Sequence, residues 1–293
     1  MTTIEDVTIR PMTGDDRPDM LTTSRAAFND LFARVVLPPP SADMVRRRQT
    51  TGGALVTHLL EVDGDGAFVA VAGDTVVGVA LAAVRERIAF LAQLHVVPDH
   101  QGRGIGGRLL AATMDYAGRA GGMMLHSSLD PQAMRCYSRA GFTLEPALQA
   151  TGRTRRSAIP AVRDVRVSDD LELAADLDRS IRGGAHGTDL EVLLKLGATL
   201  FIIDDGSRRG YAVLDGSPLL VAATDDATAA ALLWAALAES DAEDIGIGIL
   251  RGDQQWAIDV AVRAHLSLSP TGPLCRRGET GPCRPYLPHN GLL

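Results

Sequence analysis

Residues 98–110 read PDHQGRGIGGRLL, with Gly102, Gly104, Gly106 and Gly107 crowded directly against an apolar run. Each glycine raises the entropy cost of ordering the backbone. A chain that accepts this cost at a helix start needs bare backbone there. Ile105, Leu109, Ala112 and Tyr116 continue at helical spacing, which predicts a helix from about residue 104 to 118. Upstream, AFVAVAG (67–73), TVVGVALAAV (75–84) and RIAFLAQLHVV (87–97) are β-branched runs, the first two joined at Gly73-Asp74 as a tight hairpin. Three strands with short connections predict an antiparallel meander, and the glycine-led helix follows the last of them.

Farther out, VTIR (7–10) alternates as a short strand, and Pro11 to Asp16 supplies turn and helix-start residues. A helix is expected to about residue 32, with Leu21, Phe28 and Phe32 among its apolar positions. Pro38–Pro40 ends it, and Ser41 is the expected cap of a second helix whose Arg46, Arg47 and Arg48 read as a solvated face. Downstream, MMLHSS (123–128) reads as a strand, Asp130-Pro131 as an N-cap and first helical position, and Gly141 as a stop. Phe142 onward is extended. The polar, basic stretch around 152–166 sets the expected boundary between domains 1–158 and 159–293. The second part repeats the order of the first: VRV, two helical stretches, the strands TLFIID, GYAVLD and PLLVAA, then DDATAAALLWAAL, DIGIGIL and DQQWAIDVAVRAH. That succession indicates a duplicated fold. Where the first half has QGRGIGG, the second has TDDATAA.

At 293 residues the chain is comfortable for two domains, each with its own core. No apolar run approaches the ~20 residues that span a bilayer, and the N-terminus MTTIEDVTIRP is acidic where a secretory signal would be basic. A cytoplasmic location is expected. Three cysteines are too few for a disulfide framework, and the spacing of Cys275, Cys283 and His289 matches no common zinc motif, so no metal is expected. The net charge of −7 falls mostly on the second half, and aromatics make up 4%. That composition disfavours nucleic acid, which needs phosphate attraction and stacking platforms.

Three ligand readings of the glycine run compete with a mobile loop. Gly102-x-Gly104-x-x-Gly107 satisfies a dinucleotide fingerprint, but that motif turns directly from strand to helix and usually opens its domain. Here four residues intervene after Val97, and three antiparallel strands precede it. A nucleotide P-loop lacks its Lys-Ser/Thr. A pyrophosphate cradle at a helix N-terminus needs consecutive amides unobstructed by Cβ atoms, and the run offers these. The mobile loop leaves unexplained why the glycines enter the helix itself.

In context, the sequence resembles the GNAT superfamily of N-acetyltransferases. Gln101-Gly102-Arg103-Gly104-Ile105-Gly106 fits the Arg/Gln-x-x-Gly-x-Gly/Ala signature, after a strand ending in VVP and before an amphipathic helix. Ala133, Tyr137, Gly141 and Phe142 are similar to the family's Ala-x-x-x-Tyr-x-x-x-Gly-Phe helix. The likeness covers residues 1 to about 158; beyond, it rests on element order. It implies an α/β (α+β) fold of two GNAT-like domains, each a mixed, mostly antiparallel sheet flanked by helices, the second degenerate. It implies acetyl-coenzyme A as co-substrate and a primary amine, a small molecule favoured, as acceptor. The cofactor-binding residues would be Val96, Val97, Gln101, Gly102, Arg103, Gly104, Ile105, Gly106, Gly107 and Arg108. In the family the fourth and fifth strands splay to admit the pantetheine arm, and an amide near Val96 would polarise the thioester. Tyr137 would protonate the departing thiolate; a core aromatic is its alternative. Cys136 reads as a packed small residue.

The resemblance leaves the general base unassigned. The places on the fourth strand where many relatives carry a carboxylate or histidine are Phe90 and Ala92, and alternation points His95 to the opposite face. Some multidomain relatives return a C-terminal carboxylate to the first domain's site, which makes Leu293 at the apolar tail tip a candidate, with a frayed terminus as the alternative. An acyl-CoA-binding sensor and a protein-directed acetyltransferase are the rival functions. No nucleic acid or membrane partner is expected, and a homodimer is allowed for.

Overall fold

The structure, a computed structural model, describes residues 7–34 and 42–293. The Pro38–Pro40 run and the Ser41 cap lie outside these residues, as do Met1–Asp6 and the side chains of Arg47 and Arg48. The first half consists of β1 (Val7–Pro11), α1 (Arg17–Arg34), α2 (Ala42–Val62), β2 (Ala67–Ala72), β3 (Thr75–Arg85), β4 (Ile88–Val96), α3 (Ile105–Tyr116), β5 (Gly122–His126), α4 (Pro131–Arg139) and β6 (Thr143–Gly152). The meander forms as the β-branched pattern predicts. Ala72 faces Thr75 across Gly73-Asp74, with Gly73 at a φ of 61°. Asp130 caps α4, its Oδ1 accepting the Gln132 amide at 2.8 Å.

The second half repeats the order as β7 (Arg166–Ser168), α5 (Leu171–Ile181), α6 (Thr188–Lys195), β8 (Thr199–Asp204), β9 (Arg209–Asp215), β10 (Ser217–Ala223), α7 (Asp226–Glu239), β11 (Ile245–Arg251), α8 (Gln255–Arg263) and β12 (Ser267–Gly278). A short β13 (Tyr286–Leu287) follows. The alternation rules miss β12, SLSPTGPLCRRG, because two prolines and a glycine interrupt it. Pro273 is accommodated in the register shift between Thr271 and Leu274, where no ladder bond is lost.

Two sheets flanked by helices result, one of eight strands in the order β1-β2-β3-β4-β5-β12-β6-β11 and one of five in the order β13-β10-β9-β8-β7. The expected boundary at 158/159 falls between β6 and β7, yet pairing crosses it. Both neighbours of β6 come from the second half, and both neighbours of β12 come from the first. The halves exchange β6 and β12.

The apolar faces follow the same rule. One continuous core holds Met20, Leu59, Val79 and Phe90 together with Leu177, Leu193, Tyr211 and Leu220. Within it, buried Arg85 at the end of β3 bonds Asp63 at 2.6 Å and Asp189 of α6 at 2.6 Å, and His58 meets the same Asp189 oxygen at 2.9 Å. Removing one partner of such a buried pair costs about 3–5 kcal/mol, since the remaining charge stays out of water. No helix among the described residues is long and apolar enough to cross a membrane.

Residues 1–158 or 159–293 produced alone would each expose an unpaired sheet edge and half of a shared core. We expect neither to give a cooperative melting transition, whereas the two co-expressed should associate and melt as one. Calorimetry and size-exclusion chromatography of the separate and combined halves check this.

Candidate active site

β4 and β5 run parallel and pair at Ile88↔Gly122, Ala89↔Met123 and Phe90↔Met124; beyond these residues they part. The gap opens a cleft of about 1240 Å³ that reaches from the glycine run to Thr271 and Gly272 in the middle of β12. At one end the glycines form a bare N-terminus. Gly102 and Gly104 hold φ values of 73° and 79°, the left-handed region that favours glycine. A Cβ added at Gly102, Gly104 or Gly107 would meet nothing within 4 Å, and at Gly106 only Val96 Cγ2 at 3.9 Å. Packing therefore does not demand glycine at 106 and 107; the emptied space belongs to the cleft. The first internal bond of α3 is Arg108 N–H to Gly104 O at 3.1 Å, so the amides of Ile105, Gly106 and Gly107 have no acceptor within the helix. Three free amides at the positive end of a helix dipole, with open space above them, suit a phosphate group.

The strand edge is prepared as well. Val97 N–H donates to Val77 O at 2.9 Å, and antiparallel alternation then turns both polar groups of Val96 away from β3, toward the gap. The Val96 carbonyl takes Gln101 Nε2 at 2.9 Å, which leaves the Val96 amide facing the cleft. Gln101 Oε1 accepts from Arg34 at 3.4 Å, and Arg34 also pairs with Asp30 and Asp130. Val96, Gln101, Gly102, Gly104, Ile105, Gly106 and Gly107 line the cleft, as does Tyr137. Val97, Arg103 and Arg108 are not among the lining residues; the Arg108 guanidinium donates to Val7 O at 2.8 Å.

Tyr137 is buried, edge-on to Phe142 with ring centroids 6.2 Å apart, and burial pushes its phenol well above the ordinary range. It stays protonated. Cys136 beside it is half-buried, and burial raises its thiol too. Among the described residues no cluster of three or more His, Cys, Asp or Glu is placed to hold a metal ion.

Strict alternation along β4 fails at one place. Leu81 faces Gln93 and Ala82 faces Leu91, so Ala92 is an extra, bulged residue. The bulge reverses the phase: Gln93 and His95 share the face of Phe90, toward α1, while Leu91, Leu94 and Val96 face α3 and α4. The expectation that His95 points away from the Phe90 side is corrected accordingly. His95 lies 4.8 Å from the ring of Phe28 on α1, and burial pulls its pKa down to about 4. Gln93 Oε1 is buried with no hydrogen-bond partner. No sequence signal short of a bulge prediction would have found either residue.

The far end of the cleft is built by the exchanged strands. Gln149 of β6 and Thr271 and Gly272 of β12 line it. A Cβ on Gly272 would collide with the Ser127 carbonyl, and His126 Nε2 lies 3.0 Å from Gly272 O. Burial lowers the His126 pKa to about 4. Asn290 of the tail also lines this end, set against Gly248, where a Cβ would come within 2.9 Å of its Oδ1. Leu293 does not line the cleft. It is buried elsewhere, its oxygen held by the Arg182 guanidinium, so the tail is neither frayed nor placed to supply a base there.

The corresponding gap in the second half is filled. β13 pairs with β10 through Val221↔Leu287 and Ala222↔Tyr286, on the edge opposite β9. At the start of α7 the Asp225 carboxylate accepts the Thr228 amide at 2.9 Å, placing negative charge where the first half leaves open amides.

Residues 35–142 match the family model described as Acetyltransferase (GNAT) family. No curated protein matches the sequence. Among solved structures, a putative acetyltransferase from Pyrococcus horikoshii superposes with a TM-score of 0.74 at 20% identity, covering 99% of this chain and 95% of that one. A GCN5-related N-acetyltransferase from Sphaerobacter thermophilus gives 0.58 at 14% identity, over 94% and 97% of the two chains. A tandem GNAT protein from the clavulanic acid biosynthesis pathway gives 0.54 at 14%, over 93% and 98%. At these identities the structures share the fold.

Histidines kept neutral by burial tie stability to pH. The folded-state pKa of His95, about 4, lies below its ordinary 6.5, so the unfolded chain takes up the proton first as pH falls. Its contribution is complete above pH 6.5 and lost progressively toward pH 4. Urea melts across that range should show His95→Gln taking up close to one proton fewer on unfolding near pH 5.

Proposed function

We propose, from the match of residues 35–142 to the GNAT acetyltransferase family model, that the chain transfers the acetyl group of acetyl-coenzyme A to a primary amine of a small molecule, with both substrates bound at once. The parted strands carry this reading: β4 and β5 separate beside a glycine-lined helix start, leaving room for an extended arm ending in a phosphate group. Acetyl-coenzyme A supplies an activated thioester. The amides of Ile105, Gly106 and Gly107 would hold its pyrophosphate. The Val96 amide, turned toward the gap, would bond the thioester oxygen and stabilise the charge that gathers there. Tyr137, protonated and buried, would deliver a proton to the departing sulfur. In balance, the amine nitrogen bonds the acetyl carbon and the carbon–sulfur bond breaks. The proton that nitrogen sheds replaces the one given to sulfur, so an amide and a free thiol leave.

The second half supports one such site per chain, because β13 and the Asp225 carboxylate occupy the equivalent gap and helix start. A non-catalytic acyl-CoA sensor is favoured by one observation, the lack of a carboxylate on the α1 face of β4. Thiol release from acetyl-coenzyme A with any amine excludes it.

Gly106→Asp sets bulk and negative charge in the cradle and should weaken coenzyme A binding about 100-fold or more, read by calorimetry on a variant with an unchanged melting curve. Unchanged affinity would place the phosphates elsewhere. Tyr137→Phe should lower kcat roughly 10- to 1000-fold, the usual range for a general acid, with coenzyme A affinity little altered. Stopped-flow thiol detection separates the two effects, and a wild-type kcat would make Tyr137 a packing residue.

A further inference from the structure

The cleft is electrically divided. Its charged lining side chains, Arg34, Asp115, Asp130, Arg135 and Arg139, sit at the end of α1 and on or beside α3 and α4. The side formed by β4, the middle of α1, β6, β12 and the tail presents neutral groups: Phe28, Phe32, Gln93, His95, Gln149 and Asn290. Phe28 and Phe32 stack with centroids 6.0 Å apart at 18°, yet remain 43% and 49% exposed, an aromatic wall with one face uncovered. Beside it, Gln93 Oε1 is buried without a donor. An orphaned acceptor of this kind costs free energy until an N–H reaches it.

From this division we infer that the acceptor is a weakly basic primary amine carried on an uncharged aromatic body, bound as its free base. The ring would lie against Phe28 and Phe32, and an amine N–H would donate to Gln93 Oε1. The inference rests on the acetyl-transfer reading for its chemistry but not for its recognition. Among the described residues an alkylammonium would find no carboxylate on this side to replace its water. The neutral fraction of a lysine-like amine at pH 7 is only about 1 in 2500, so such a substrate would need a base that these residues do not supply. An arylamine is neutral already, its lone pair ready for the acetyl carbon. The apolar character of Phe90 and Ala92 and the neutrality of the described acceptor side then have one cause.

The test begins with binding, on full-length protein saturated with coenzyme A so that no turnover intervenes. Calorimetric titration compares 4-methoxyaniline, benzylamine and spermidine at pH 7. The expected order places 4-methoxyaniline first by at least tenfold, with Phe28→Ala weakening it about tenfold. Gln93→Glu, checked for an unchanged melting curve, should move the preference toward benzylamine by a similar factor, since a carboxylate there favours the ammonium. Tighter binding of spermidine, or of no amine, overturns the inference. Thiol release from acetyl-coenzyme A is then followed with the same amines. If 4-methoxyaniline binds as expected but releases no thiol, the recognition stands and the acetyl-transfer reading fails.

Discussion

The antiparallel pairing of β6 with β12 is the contact on which the rest of the molecule depends. Each strand comes late in one half of the chain and sits wholly among strands of the other. Backbone hydrogen bonds in a sheet interior cannot be surrendered to water without exposing a template edge. The two halves therefore share one cooperative unit, and the common core around Leu59, Phe90, Leu193 and Tyr211 and the buried Arg85–Asp189 pair follow from that topology. The same pairing places Gln149, Thr271 and Gly272 at the far wall of the cleft. A site whose helix and glycines belong to the first half is thus closed by strands that only the second half can hold in register.

Duplication left equivalent gaps, and the chain treats them oppositely. Between β4 and β5 the gap stays open, with unpaired amides at the start of α3. On β10 it is taken by β13, and the start of α7 is satisfied by its own Asp225. A strand edge and a helix N-terminus both require hydrogen-bond partners. In the second half the protein provides them internally. In the first half only the Val96 carbonyl is met, by Gln101 Nε2, while the Val96 amide and those of Ile105, Gly106 and Gly107 stay open to the cleft.

Burial rather than charge pairing sets the protonation of the cleft. His95 and His126 are held neutral, and Tyr137 is kept protonated, by removal from water. The charged lining groups sit at the end of α1 and on or beside α3 and α4, and the described α1 side of β4 presents neutral ones. One cleft thereby offers two environments.

Much of this was legible in the residues. The meander followed from β-branched runs and the Gly73-Asp74 turn, the cradle from glycines entering a helix, and the duplication from a repeated order of elements. These are local properties, written in periodicity and in the φ values that only glycine takes freely. What the sequence could not determine was long-range. The exchange of β6 and β12 depends on which edge a strand finds, and nothing in TLEPALQATG or SLSPTGPLCRRG names its partner. The bulge at Ala92 reverses the phase of β4 without any residue that announces it, so Gln93 and His95 could be placed only once the ladder with β3 was seen. The tail's filling of the second gap likewise needed the fold. Side-chain alternation has a period of two, and one inserted residue or one exchanged strand redirects every group beyond it; only tertiary pairing records where that happens.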